Sequence, residues 1–331
     1  MDKRRLGRTG LSVSVLTFGC GAVGGLMTRG APRDQERAVA RALEAGIDHF
    51  DTAPAYGGGA SEENLGRVLA SLKPHVIVST KVRLAAGDRG RIAEAVSASL
   101  EASLRRLGRE QVDLFQFHNA IGERGDGATF GVDEVLSDVL PALDRMREQG
   151  KTRFIGFTAI GETDALHRLI GSRTFDTAQV PYNALNPSAG AALPRNYPAQ
   201  DYGALLDRTK EVDMGTIGIR VLAGGALSGH EERHPLGLAV VEPIGSGASY
   251  AADAARARRL APMVREGHAG SLTEMAMRFA IAHPALSTTE IGLATIEQLD
   301  DAVRAVEKGP LPPTALKRLA ELQATFAGEP R

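Results

Sequence analysis

The chain has 331 residues, 43% hydrophobic and 24% charged, with 39 basic against 40 acidic side chains and a single cysteine. That length is enough for two domains or for one barrel of roughly 250 residues with long loops. The charge balance argues against a nucleic-acid or anionic-membrane partner, no run approaches a membrane span, and Cys20 alone forbids an internal disulfide. With no long apolar stretch in "MDKRRLGRTGLSVSV", these features predict a cytoplasmic protein.

In chain order, "RRLGRTGLSVS" reads as a small hairpin around Gly7 to Gly10. "SVLTFG" (14–19) reads as a strand, followed by a glycine-rich loop. A helix is predicted from Asp34, with Ala38, Val39, Ala42 and Leu43 on one face and Gly46 closing it. A strand over 47–50 leads to a helix capped by Ser61 and carrying Leu65, Val68, Leu69 and Leu72. A strand over 75–80 precedes a long helix lined by Ile92, Val96, Leu100, Leu104 and Leu107 and ending at Gly108. Strands at 112–117, 153–157, 177–180, 215–219 and 285–291 bring the count to eight, each followed by a helix. Eight strand–helix units imply right-handed parallel crossovers and fit a closed (β/α)₈ TIM barrel, as one domain over 1–331. The hairpin would plug its bottom. Connections 119–132, 183–200 and 228–268 are too long for turns and would hang over the C-terminal face.

Catalytic groups of such barrels sit at the C-terminal strand ends. Asp51 ends the second strand, Tyr56 lies five residues into the following loop, Lys81 ends the third strand and His118 the fourth. Singly, each is accounted for as a turn cap, a loop aromatic, a solvated charge and a core histidine. Together they form an acid–base device. A lysine cation beside the tyrosine stabilises the phenolate, an aspartate holds the lysine, and a histidine can orient a carbonyl oxygen. No side chain supplies hydride, so a nicotinamide cofactor is implied. In "GIDHFDTAPAYGGGASEENLG" (46–66) the glycines are expected to be structural, because Glu62 and Glu63 make the following helix N-terminus a poor phosphate cradle.

On these residues the whole chain resembles the aldo-keto reductases. The stretch 46–66 is similar to that family's signature, and "STK" and "FQFH" to its lysine and histidine positions. The resemblance implies Tyr56 as general acid/base, Lys81 and Asp51 as its tuning partners, and His118 as the carbonyl orienter. "LPALDRMREQGKTRFIGFT" (140–158) is similar to the branch of aldose and L-galactose 1-dehydrogenases. An NAD(P)(H) cofactor is implied, with Gly19 beside it and the nicotinamide carboxamide held by Thr158 and Gln179. Tyr182 or a neighbour would pack on the ring. The pyrophosphate would lie against "IRVLAGGALSG" (219–229), with Arg220, Leu222 and Ala223. The chain departs from the family at Val221, where proline is usual, and at Ala159, where an amide is common.

The adenosine end would meet Gly292, Gln298 and Asp301. The family prior favours NADP(H). A 2′-phosphate needs charge-assisted donors, however, and Leu293, Ala294, Gln298 and Ala302 supply none, so these residues lean to NAD(H). The substrate is expected to be a small carbonyl compound or a sugar, in a pocket drawing on Phe130, Tyr197, Tyr202, His234 and Tyr250.

Two motifs offer rivals. "GCGAVGG" fits the dinucleotide fingerprint at Gly19, Gly21 and Gly24, yet Gly25, Gly30 and Pro32 delay the helix it should open. "HEERH" (230–234) fits a zinc-hydrolase pattern but lies among glycines and prolines with no apolar stripe, so no metal is expected. A nucleotide-binding regulatory subunit on the same barrel is the remaining alternative.

Overall fold

The structure, a computed structural model, describes residues 1–329. Eight parallel strands close into a barrel: β1 (Leu16–Gly19), β2 (His49–Asp51), β3 (Ile77–Val82), β4 (Val112–Phe117), β5 (Thr152–Thr158), β6 (Thr177–Pro181), β7 (Gly215–Ile219) and β8 (Thr288–Gly292). Each pairs with its sequence neighbour, and β8 returns to β1 through Ile291 opposite Phe18. An open, doubly wound sheet is thereby excluded.

The principal surrounding helices are α1 (Pro32–Glu44), α2 (Ala60–Leu72), α3 (Ile92–Leu107), α4 (Leu140–Glu148), α5 (Thr163–Gly171), α6 (Leu205–Glu211), α7 (Leu272–Ile281) and α8 (Ile296–Glu307). Their apolar faces, such as Val96, Leu100 and Leu104 of α3, pack with outward-facing strand residues such as Phe115 and Phe117 in one continuous core. The antiparallel hairpin of Lys3–Arg5 and Ser12–Ser14 closes the barrel's N-terminal end. Leu6 and Val13 cluster there with Leu114 and Ile217, all fully buried. Burying a leucine of this kind stabilises by about 2 kcal/mol.

The structure corrects several local expectations. α1 begins at Pro32, because proline suits a first helical position, and a short helix, Leu26–Arg29, interrupts the glycine-rich loop before it. Ser61 does not cap α2. Its hydroxyl bonds Thr52 Oγ1 at 2.7 Å and the Cys20 carbonyl at 2.9 Å, and Gly59 holds the cap position. Glu62 is buried rather than solvated at the helix start, accepting from Thr80 at 2.6 Å and from Arg106 at 2.6 Å. It fastens α2 to β3 and α3. β8 starts at Thr288, three residues later than the apolar run suggests.

The long connections carry structure of their own. Residues 119–132 contain a parallel pair, Ile121–Gly122 with Phe130–Gly131. The 228–268 segment contains helices Tyr250–Arg258 and Pro262–Arg265. Buried Arg256 pairs with Asp253 at 2.7 Å and donates to the carbonyls of Ser246 and Pro198. That ties the loop after β7 to the loop after β6.

Candidate active site

β2 and β3 run side by side with Asp51 opposite Ser79, so Asp51 and Lys81 emerge at the same end of adjacent strands. Both are buried and form an ion pair, and Lys81 Nζ also donates to the Thr52 carbonyl at 2.9 Å. Tyr56 follows on a 3₁₀ turn, Tyr56–Gly59, and Lys81 Nζ sits 4.8 Å from its ring centroid. Gly57, Gly58 and Gly59 have φ of 63°, 63° and 100°. The left-handed backbone needs glycine there, and the tight turn it makes returns the chain directly into α2 behind the tyrosine.

His118 follows β4, its Nδ1 2.7 Å from Thr158 Oγ1 at the end of β5. Thr158 Oγ1 donates to Gln179 Oε1 on β6 at 2.9 Å, and Gln179 Nε2 donates to Asp51 Oδ2 at 3.1 Å. Asp51, Lys81, Tyr56 and His118 therefore meet at one mouth, joined by Thr158 and Gln179.

Glu290, on β8, was not singled out by sequence reasoning. Its Oε2 accepts from Gln179 Nε2 at 3.0 Å, so the mouth holds two carboxyl groups on one amide. The readable signal was a lone acid in the apolar run "ALSTTEI" (285–291), on a strand of a sheet buried on both faces.

Electrostatics follow from burial. Tyr56 is pushed up to about 12, chiefly by desolvation, with Asp51 and Glu290 adding to the rise and Lys81 opposing it. Lys81 thus offsets part of the burial cost of the phenolate. Burial disfavours the Lys81 cation, but Asp51, Tyr56 and Glu290 outweigh it and hold Lys81 protonated. Burial, then Lys81 and Arg83, pull His118 down to about 3, so its imidazole is neutral at pH 7.

Desolvation, then the Asp51 charge, push Glu290 up to about 8. An unfolded glutamate ionises near ~4.3. Between these values the native state keeps a proton that the unfolded chain releases, so this group makes stability fall as pH rises through that window. Glu290→Gln lacks the titration. Its Tm relative to the parent protein should climb between about pH 5 and pH 8 and then level off. A Tm difference constant across that range would show Glu290 ionised throughout.

The remaining expected residues are more scattered. Gly19 is buried against β8, where a Cβ would meet the Ile291 carbonyl at 2.6 Å, and Gly24 packs equally closely on Leu293. These glycines let the loop after β1 approach β8. Arg220, at φ 56°, is half-buried and donates to the Glu242 carbonyl at 3.2 Å. Among the described residues it makes no ion pair. Leu222 and Ala223 lead into a 3₁₀ turn, Ala223–Ser228. Gln298 Oε1 accepts from the Ala294 backbone at 2.8 Å, while Asp301 pairs with Arg304 on the exposed side of α8. Gly292 is exposed at the end of β8.

Some residues expected against the nicotinamide ring or in the substrate pocket pack in the core. Tyr182 stacks on Phe279 with centroids 4.8 Å apart, and Phe130 is fully buried edge-on to Phe117. Tyr197 and Tyr202 are buried, and the Tyr197 hydroxyl donates to the Leu185 carbonyl at 2.9 Å. Tyr250 lies under the Arg233 guanidinium, 4.9 Å from its centroid, and His234 is exposed. Residues 230–234 form no helix, so the two histidines lack the shared helical face of a zinc hydrolase.

A closed parallel barrel with its ionisable groups gathered at the strand C-termini places the chain among the barrel enzymes. The Aldo/keto reductase family model matches residues 15–324, and the chain belongs to that family. It is a nicotinamide-dependent oxidoreductase. L-galactose dehydrogenase of Arabidopsis thaliana is 30% identical over 314 residues, covering 92% of this chain and 88% of that one. D-threo-aldose 1-dehydrogenase of a Pseudomonas species is 32% identical over 215 residues, covering 56% and 62% respectively. The holo form of an aldo-keto reductase from Bacillus halodurans superposes with a TM-score of 0.69 at 24% identity, covering 97% and 96%. Among the described residues no helix is long and apolar enough to cross a membrane.

Proposed function

We propose that this protein interconverts a carbonyl and an alcohol, with an aldose or related sugar as the reacting class and Tyr56 as the proton-transferring residue. The observation that carries this is Lys81 fixed between Asp51 and the Tyr56 ring at the barrel mouth. When bound, the nicotinamide cofactor supplies or accepts hydride at the substrate carbon. Tyr56 gives a proton to the substrate oxygen in reduction and takes it in oxidation. Lys81 stabilises the phenolate, Asp51 holds Lys81, and His118 orients the oxygen substituents. The sugar class rests on the two dehydrogenase relatives.

The donor set at the mouth fits the cofactor. Thr158 and Gln179 are a buried hydroxyl and amide of the kind that hold a carboxamide. Arg220, without a carboxylate partner among the described residues, is a cation available to a pyrophosphate, next to the Ala223–Ser228 turn. Gly19, Leu222, Ala223 and Gly292 border the same cleft in this reading. The whole of 1–331 acts as one domain, in the cytoplasm.

Residues 290–302 support NAD(H) at least as well as NADP(H). Gln298 uses its oxygen to accept from the Ala294 backbone and offers a 2′-phosphate only a neutral amide donor, and Arg304, the nearest cation in sequence, is paired with Asp301. An absorbance screen at the nicotinamide band, with both cofactors against aldoses, aldehydes and ketones, tests the activity. We expect kcat/KM for the two cofactors to differ by less than about a hundredfold, or to favour NAD. A larger preference for NADP, near 2.7 kcal/mol, would require a phosphate clamp elsewhere, Arg220 being the first suspect. No turnover with any carbonyl or sugar would favour the regulatory-subunit reading instead.

A further inference from the structure

Arg83 lies two residues beyond Lys81, just past the end of β3. Side chains alternate along a strand, so Arg83 continues the side of Ser79 and Lys81, which faces the barrel axis. Its backbone is held on both flanks. The His118 N–H donates to the Val82 carbonyl at 2.8 Å. Asn119 accepts from the Leu84 N–H and donates to the Leu84 carbonyl, each at 2.8 Å. Arg83 therefore stands beside His118 at the rim, and its charge helps to keep the imidazole neutral. The residue is exposed and, among the described residues, makes no ion pair or hydrogen bond through its side chain. Asp88 and Glu94 line a groove with it on the α3 side, and neither pairs with it; Asp88 instead holds Arg91 at 3.1 Å and the Ala85 N–H at 2.8 Å.

The other charges of the mouth nearly cancel. Asp51 is paired with Lys81, His118 is neutral, and Glu290, pushed up to about 8, is mostly protonated at pH 7. Two cations are left, Arg83 after β3 and Arg220 after β7. β3 and β7 are four strands apart in a closed ring of eight, so these residues stand on opposite sides of the mouth. Arg220 is on the side read above as the cofactor's. Arg83 is on the side of β2 to β4, with Tyr56, Lys81 and His118. We propose that Arg83 is a specificity-determining residue that pairs with an anionic group, carboxylate or phosphate, at the end of a sugar substrate away from its reacting carbon. An acidic aldose is then preferred over the neutral sugar, a reading that rests on the sugar class proposed above. A guanidinium meets either anion through two parallel N–H donors. A contact with the non-reacting end is the same in the ground and transition states, so it lowers KM and leaves kcat alone. Because Arg83 is exposed, the attraction is screened by salt.

The test compares galactose, galacturonate and galactose 6-phosphate, in one enantiomeric series with oxidised cofactor, in the parent protein and in Arg83→Gln. One of the acidic sugars should exceed galactose in kcat/KM by about tenfold or more, through KM, and the one that does so identifies the anion. Arg83→Gln should bring that ratio to about twofold or less, and Arg83→Lys, which keeps the charge without the fork, should retain part of it. The parent's ratio should also narrow as salt is raised from about 0.05 M to about 0.5 M. A parent ratio near one, or a ratio that survives Arg83→Gln, overturns the proposal. Galactarate, with a carboxylate at each end and no aldehyde, gives a readout without turnover. Calorimetry with oxidised cofactor present should show it binding the parent protein about fivefold or more tightly than Arg83→Gln. If no sugar turns over, the proposed function fails while galactarate still decides the role of Arg83. Absent binding, or equal binding by the two proteins, overturns that role.

Discussion

Tyr56→Phe is expected to lower kcat by about 10²- to 10⁴-fold while leaving cofactor affinity nearly unchanged. The hydroxyl is the only atom removed, and the ring keeps its contact with Lys81, 4.8 Å from the centroid. Folding should be intact, because the Tyr56 hydroxyl sits at the mouth and not in the barrel core. Single-turnover rates with cofactor binding measured separately will distinguish loss of proton transfer from loss of binding. Retention of more than about a tenth of kcat, ~1.4 kcal/mol or less of barrier, would assign the proton to another group. Burial makes Tyr56 a weaker acid, pushed up to about 12, so it stays protonated for donation to a developing alkoxide while its phenolate is costly to form. In oxidation, Lys81 carries that cost by stabilising the phenolate.

Strand order and the mouth residues were legible because they follow from period and position. Val112–Phe117, apolar but for Asp113 and Gln116, and the apolar or small run Gly215–Ile219 are bounded by helices, and both strands end where the sequence places them. Asp51, Lys81 and His118 could be placed at one rim because parallel strands all point the same way. Side-chain partners across the barrel were not legible. Ser61 looks like a cap, yet the neighbouring Thr52 and Cys20 claim its hydroxyl. Glu62 looks like a helix-dipole acid, yet a contact 44 positions away in Arg106 draws it inward. Glu290 reads as an ordinary strand acid until closure of the barrel sets β8 opposite Gln179 on β6. The aromatic residues of the long loops, Phe130 and Tyr197 among them, read as pocket because loops normally lie outside; here those loops have buried cores of their own.

Lys81→Met should cost both stability and turnover, for separable reasons. The lysine is buried, and removing it leaves the Asp51 carboxylate without its ion-pair partner inside the barrel. Breaking a buried pair from one side typically costs about 3–5 kcal/mol, to be read from denaturant unfolding. Gln179 Nε2 remains as a donor to Asp51, which places the loss toward the lower end of that range. Turnover should fall by about a hundredfold or more, because the cation that most opposes the burial cost of the phenolate is gone. Residual oxidation should then need a more alkaline medium than the parent enzyme. Adding Asp51→Asn to Lys81→Met removes the orphaned charge and replaces it with an amide of the same shape. The double variant should recover most of the lost stability and none of the lost turnover. Recovery of both would make Lys81 and Asp51 a purely structural pair, and the acid–base role of Tyr56 would then need no cation beside it.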